Sequence, residues 1–580
     1  MRGEHKLGRL LPSLLICAVA FTACAPAAPS APSAPSAPGG EARASQPAQL
    51  KIMTIALQGE PTSVHPIMGG EVGGSPAGHV NGALHHRLTT YDNKGNPIAQ
   101  VATEVPSLER GTWALNPDGT MQTTYRLRPN VLWHDGQALT AGDVVLGWRV
   151  ARDPELPIGN RDVAGLVSAI DTPDDTTAIL HWSKPYPQAN VLSDFEMSPL
   201  PRHLLEQAYT ADKESFQRLP YWTTEFIGVG PYRLDRWELG SRWVLKAFDQ
   251  YYGGPAKIAT VILAFISDES TTTANMFAGT VDGEIRGIDF SKVMLVKDEW
   301  EKAGRKPLVT VESVGTRVVE AQYRDPRPAA IADARIRRGL MHAIDRQSMA
   351  ETIYGGYTAT ADSVVVPDDP RYGWVKDAPT RYAYDQRRAL EILAEAGWRR
   401  GADGNVLSAA GERVQLSLWT TAGGQWESSQ AINADGWRAI GISVEEYVIP
   451  SARARDREVT SSFPNFYGAF YNLAYLTPVR VVMASECPTV ENRYVGINRG
   501  CYQNTELDGV ASALVTAVTP PEQQRLWADL IRLQSRELPI MPMTHVVQAN
   551  AFREGVSGPV GESWRAGSSY LWNLASWDIQ

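Results

Sequence analysis

The side chains of this 580-residue chain that could do chemistry argue against most reactions before they argue for any. His79, His85 and His86 lie close together, and neutral imidazoles bind transition metals well, yet no Cys or carboxylate stands beside them at ligand spacing. Asn81 to Leu88 reads instead as an amphipathic helix carrying polar histidines, and no metal is expected. His134 and Asp135 adjoin within Trp133-His134-Asp135-Gly136. There Asp can bond its own backbone and Gly can accept the positive φ of a tight turn, so the pair reads as a turn and not as an acid–base dyad. Gly228-Val-Gly-Pro-Tyr does not open a helix as a dinucleotide loop must, because Pro231 and the alternation of Tyr232 with Leu234 continue into a strand. The sequence contains no Gly-x-Ser-x-Gly elbow and no His-Glu-x-x-His helix. No catalytic residue, metal or cofactor is therefore expected, and binding without turnover is the chemistry left.

Arg2, Lys6 and Arg9 precede an apolar run from Leu10 to Phe21, and small residues lead to Cys24. This is the pattern of a bacterial lipoprotein signal with cleavage before Cys24 and acylation of its thiol; a plain secretory signal is the alternative. The run is shorter than the roughly 20 apolar residues that span a bilayer. Residues 25–49, rich in Pro, Ala and Ser, read as an extended tether able to reach up to ~75 Å at about 3.1 Å per residue.

The remainder is too long for one core and calls for several domain-sized units. Its 43% hydrophobic and 21% charged composition is that of a globular protein, and a net charge of −9 excludes the basic face that nucleic acid asks for. The 17 Trp and 21 Tyr suit both core packing and aromatic walls around a ligand. Cys17 leaves with the signal and Cys24 would carry lipid. Cys487 and Cys501 then stand in a Pro/Asn/Gly-rich loop as candidates for a disulfide, which would contribute roughly 3 kcal/mol on the chain-entropy view. Zinc would want more ligands than two thiols.

The most informative stretch is Tyr125 to Val150. Tyr125, Leu127 and Val131 alternate with polar residues, Pro129-Asn130 interrupts the strand, and the Trp133–Gly136 turn leads to a helix. Thr140 can cap that helix, with Asp143 answering as the acid of a capping box and Val144 and Trp148 on one face. Leu127-Arg128, Leu132-Trp-His-Asp-Gly136 and Thr140-Ala-Gly-Asp-Val144 together closely resemble the signature of family 5 solute-binding proteins of ABC importers. Further matches are Pro199-Leu-Pro-Arg-His-Leu, Gly228-Val-Gly-Pro-Tyr, Asp333-Ala-Arg-Ile-Arg through Ala343-Ile-Asp-Arg346, and Tyr384-Asp385 with Glu395-Ala-Gly-Trp398. His65 departs from the family, which has Asp there.

The resemblance spans about residues 50 to 550. It implies an α/β, two-lobed periplasmic-binding-protein-like fold of class II type with a subdomain inserted in the first lobe at about 85–195. Lobe I would comprise 50–310 and 550–580, and lobe II 311–549, after a signal at 1–23 and a linker at 24–49. It also implies a monomer that delivers a small solute to ABC permease subunits, beside a membrane reached through the lipid anchor. A sensing or scavenging receptor is the alternative, and a secreted hydrolase a remote one.

The resemblance further places Glu60 in a loop that lines the cleft, and His545 where relatives have cleft-facing tyrosines. Trp419 and Trp426 flank the Thr-Thr-Ala-Gly-Gly loop, and Tyr471 and Asn472 complete the candidate contacts. Oligopeptide-binding relatives hold the peptide α-amine with an Asp where this chain has Ala474. A buried ammonium without that countercharge costs several kcal/mol, so sugars and other small organic solutes stand beside peptides as ligands.

Overall fold

The computed structural model describes residues 50–68, 76–158, 161–194, 196–472, 474–562 and 569–580. The expected signal, Cys24 and the tether lie outside them. Strand β1 (Ile52–Leu57) opens the described chain and buries Met53, Ile55, Ala56 and Leu57, so both its faces are covered. β2 (Trp113–Leu115), β3 (Met121–Arg126), β4 (Val167–Asp174) and β5 (Thr177–Trp182) form a separate antiparallel sheet in the order β2-β3-β5-β4. The chain then adds β6 (Tyr232–Glu238), β7 (Arg242–Ala247), β8 (Thr260–Phe265), β9 (Gly283–Ile285) and the long β10 (Leu308–Ala321). β11 (Gln415–Thr421), β12 (Ser443–Ile449), β13 (Phe466–Asn472) and β14 (Ile540–Phe552) follow.

Together with β1 these strands make one ten-stranded sheet in the order β12-β11-β13-β10-β14-β9-β1-β8-β7-β6. Its two halves meet at β10 and β14. Leu308–Ser313 of β10 lies against Val547–Phe552 of β14, and Phe552 reaches β9. Gly315–Ala321 pairs with β14 on one side and β13 on the other. Gly315 is required at the junction, because a Cβ there would lie 2.1 Å from the Tyr471 carbonyl oxygen.

Two apolar clusters each cover one half of the sheet, and another spans both. Ile55, Trp243, Leu263 and Trp577 belong to one cluster, whereas Val318, Val479, Trp527 and Leu530 belong to another. A third, with Trp133, Tyr125 and Trp182, fills the small sheet. A fourth, including Trp300, Val319, Leu340 and Trp437, holds helices against the central sheet.

In the stretch from Tyr125 onward the turn and the helix form as expected, but the strand ends at Arg126, so Leu127 and Val131 lie beyond it. Helix α1 (Ala141–Arg152) starts at Thr140, whose N–H donates to Asp143 Oδ2 at 2.7 Å. The other Asp143 oxygen accepts from Arg202 N at 2.7 Å, tying α1 to the start of the helix Arg202–Ala211. His134 is a clamp: Nδ1 accepts from Gly228 N and Nε2 lies 3.1 Å from Gly230 O.

Two local readings are corrected. Asn81–Leu88 is a single 3-10 turn at Asn81–Ala83 and then irregular chain, not an amphipathic helix. Gly82 packs so closely that a Cβ would sit 2.9 Å from Ser569 and Trp572, and His79, His85 and His86 are all buried. Asp333–Arg346 is likewise divided. α2 (Phe290–Lys302) precedes α3 (Ala334–His342) and α4 (Arg346–Tyr354), and Asp345 restarts the chain by accepting from Ser348 N. α5 (Gln386–Glu395) follows, with Asp385 as its cap, and α6 (Gly424–Ala439) connects β11 to β12. No described helix is long and apolar enough to cross a membrane.

Candidate ligand-binding site

β10 turns Thr316, Val318 and Glu320 to one face and Arg317 and Val319 to the other, as the strand period of two requires. On the first face Glu320 is 2% exposed, and its Oε1 accepts from Tyr471 Oη at 2.7 Å and from Arg499 Nη1 at 2.6 Å. Burial pushes the Glu320 carboxyl up, while Arg499 and Tyr471 oppose the shift. Glu320 Oε2 is buried without a hydrogen-bond partner among the described residues. Arg499 rides on a loop closed by the Cys487–Cys501 disulfide, with Cα atoms 4.7 Å apart. Further along this face His545 Nδ1 lies 3.2 Å from Thr316 Oγ1, and burial pushes its pKa down to about 4, which keeps the imidazole neutral.

On the opposite face the Arg317 guanidinium lies 4.5 Å beneath the Trp426 ring. Trp426 also meets Phe470, the β13 neighbour of Arg317, edge to face at 6.5 Å. Tyr354, from the end of α4, places its hydroxyl 3.2 Å from Arg317 Nη2. The same tyrosine packs on Phe290, the first residue of α2.

The structure thus brings Tyr471 and His545 to one side of β10 and Trp426 to the other. Trp419 points elsewhere, pairing with Tyr447 at 4.5 Å in an open groove of about 350 Å³ that Asn465 and Arg327 also line. Glu60 lies apart as well. Its Oε1 accepts from Trp237 Nε1 at 2.6 Å and Gly240 N at 2.9 Å, which pins the β6–β7 hairpin. Asn472 is exposed at the end of β13, and its Oδ1 accepts from Ala474 N and Thr477 Oγ1.

Sequence reasoning missed Arg317, Glu320 and Arg499. Two charges inside the otherwise apolar run Thr316-Arg-Val-Val-Glu-Ala321 were the available signal. Nothing local announces Arg499, which reaches Glu320 from far along the chain.

A second polar knot sits in the half that contains β1. Asp194 accepts from Arg87 Nε at 2.7 Å and Asn81 Nδ2 at 3.1 Å. Burial alone would raise its pKa, but Arg87 and the nearby histidines hold it at about 2. Burial pushes His65 and His86 down to about 4 and His85 well below its usual value. His85 stacks on Trp133 and shares a hydrogen bond with Ser198, and His86 meets Tyr252 Oη at 2.6 Å. Among the described residues no three His, Cys, Asp or Glu side chains gather as a metal ligand set.

With this architecture in place, the comparisons with known proteins agree. Residues 103–477 match the profile described as bacterial extracellular solute-binding proteins, family 5 Middle, and the chain belongs to that family. It is 23% identical over 446 residues to the oligopeptide-binding protein AppA of Bacillus subtilis (strain 168), covering 76% of each chain. Its fold is similar to that of the oligopeptide-binding protein from Thermus thermophilus complexed with a pentapeptide (TM-score 0.69, 19% identity, 91% of this chain and 96% of the other). NikZ from Campylobacter jejuni in complex with Ni(L-His) is similar to the same degree (TM-score 0.69, 20% identity, 91% and 99%). The fold is the two-lobed α/β architecture of family 5 periplasmic binding proteins, and members of this family are extracytoplasmic binding proteins, not enzymes.

Proposed function

We propose that the protein captures a small solute, an oligopeptide or a related compound, between two lobes and hands it to the permease of an ABC importer. Lobe I would comprise residues 50–310 and 550–580, with an inserted subdomain at about 85–195, and lobe II residues 311–549. Cys24 would carry the lipid that holds the body to the membrane through the Pro/Ala/Ser tether. The observation that carries this reading is the β10–β14 pair, two long strands through which the halves of the ten-stranded sheet are joined. A two-strand connection of this kind permits hinge closure, and closure is favoured when a ligand touches both walls. The names of the relatives support a solute in the range from peptides to metal chelates. Ala474, standing where oligopeptide-binding relatives place an Asp, keeps non-peptide solutes within that range.

A thermal-shift panel of peptides, oligosaccharides and metal chelates tests the reading. A true ligand at 100 times its Kd stabilises by ~2.7 kcal/mol, and small-angle scattering of the same mixture shows a smaller radius of gyration. A protein that consumed the ligand, or whose radius never changed, would remove the capture mechanism. Mass spectrometry of the membrane-associated protein, compared with Cys24→Ala, tests the anchor.

A further inference from the structure

Three residues along β10 separate a compensated buried charge, Glu320, from an uncompensated one. Arg317 is 3% exposed. Its Nη2 reaches the Tyr354 hydroxyl at 3.2 Å and Gln425 Oε1 at 3.5 Å, both neutral groups and the second at the outer limit of a hydrogen bond. Nε and Nη1 are buried and meet no hydrogen-bond partner among the described residues. The Trp426 ring covers the guanidinium at 4.5 Å, an attraction much weaker than an ion pair of the same geometry.

A buried ionised group is stable only when an opposite charge or a full set of hydrogen bonds replaces the water it has left. Arginine cannot escape by shedding its proton. The local field adds to the imbalance. Gln425 and Trp426 lie in the first turn of α6, whose N-cap Gly423 offers no side chain, and a helix N-terminus is the positive end of the macrodipole. The one acid in that turn, Glu427, is exposed and turned to Gly423 N at 3.2 Å. On the sheet side, Thr544 is the cross-strand partner of Arg317 and so projects from the same face. Its Oγ1 is buried and also has no partner among the described residues.

We propose that Arg317, flanked by Trp426 and Thr544, is an anion subsite that takes a carboxylate group of the captured solute. The proposal rests on the solute-capture reading above and narrows the solute to peptides with a free carboxylate or small organic acids, excluding neutral sugars. Carboxylate oxygens would accept from the free Arg317 N–H groups and from Thr544, and the adjoining carbon skeleton would lie against Trp426 and Phe470.

Two measurements decide it. Melting of the wild type, Arg317→Gln and Thr544→Val is followed in sodium acetate and in sodium chloride at equal ionic strength. Acetate raises the wild-type Tm above its chloride value, Arg317→Gln abolishes the difference and Thr544→Val reduces it; if Arg317→Gln does not fold, Thr544→Val alone carries this arm. Calorimetry then compares a random tetrapeptide pool with its amidated copy, and 3-phenylpropanoate with 3-phenylpropanamide. An acid is expected to bind about 10- to 100-fold tighter than its amide, the worth of a hydrogen bond to a charged group, with the ratio falling to about one in Arg317→Gln.

The peptide and phenylpropanoate arms distinguish the two sources of the carboxylate. Equal melting in both salts, an acid-to-amide ratio near one in the wild type, or a ratio preserved in the variant overturns the subsite while leaving solute capture intact. Binding of neither calorimetric probe, with the acetate effect present and abolished in the variant, upholds the subsite and counts instead against these solutes as cargo.

Discussion

Glu320 and Arg317 are a controlled comparison within one strand. Both are almost fully buried, yet their odd separation puts them on opposite faces of β10, so neither can neutralise the other. Glu320 is met by a cation and a phenol, and its surroundings are those of a structural ion pair. Arg317 is met by a hydroxyl, an amide and an indole. Residues with the same degree of burial can therefore differ in purpose, and the presence of a countercharge separates scaffold from site. The histidines around Asp194 are a third solution, in which burial removes the charge by lowering the pKa.

His65, His86 and His134 have folded-state pKa values of about 4 against an unfolded value near 6.5. The unfolded chain therefore binds protons first as pH falls. Stability is fully present above pH 6.5 and is lost progressively between 6.5 and about 4, by up to about 3 kcal/mol for each histidine. Urea midpoints measured from pH 7.5 to 4.5 should fall steadily, and a flat profile would show that these side chains are not buried neutral.

Arg499→Ala comes next, because it strands Glu320 in the interior. It should lower unfolding free energy by about 3–5 kcal/mol, and the double variant Arg499→Ala/Glu320→Gln should recover part of that loss. A loss under 1 kcal/mol would mean that the pair is not the scaffold described here. Cys487→Ser opens the loop that presents Arg499, with a predicted loss of roughly 3 kcal/mol. Its effect should shrink in the Arg499→Ala background if the disulfide acts partly by holding that arginine, and simple additivity would refute the coupling. Glu60→Gln has the smallest effect. It keeps an acceptor for Trp237 and Gly240 but removes the charge, so about 1 kcal/mol is expected. If the same change weakened solute binding more than tenfold, Glu60 would belong to the site and not to the hairpin.

Local chemistry determined much of this protein by itself. The turn at Trp133–Gly136, the Thr140–Asp143 cap and the helix that follows depend on neighbours within a few residues, so their spacing could be read directly. The family-specific order of such motifs was legible for the same reason. Only the tertiary structure decided what the polar side chains do. Glu320 finds Arg499, Arg87 finds Asp194 and Glu60 finds Trp237 across sequence separations of 179, 107 and 177 residues. The histidines read as lying on a helix face became core residues for the same reason. A charge is stabilised or stranded by what the fold brings against it, and no window along the chain contains that partner.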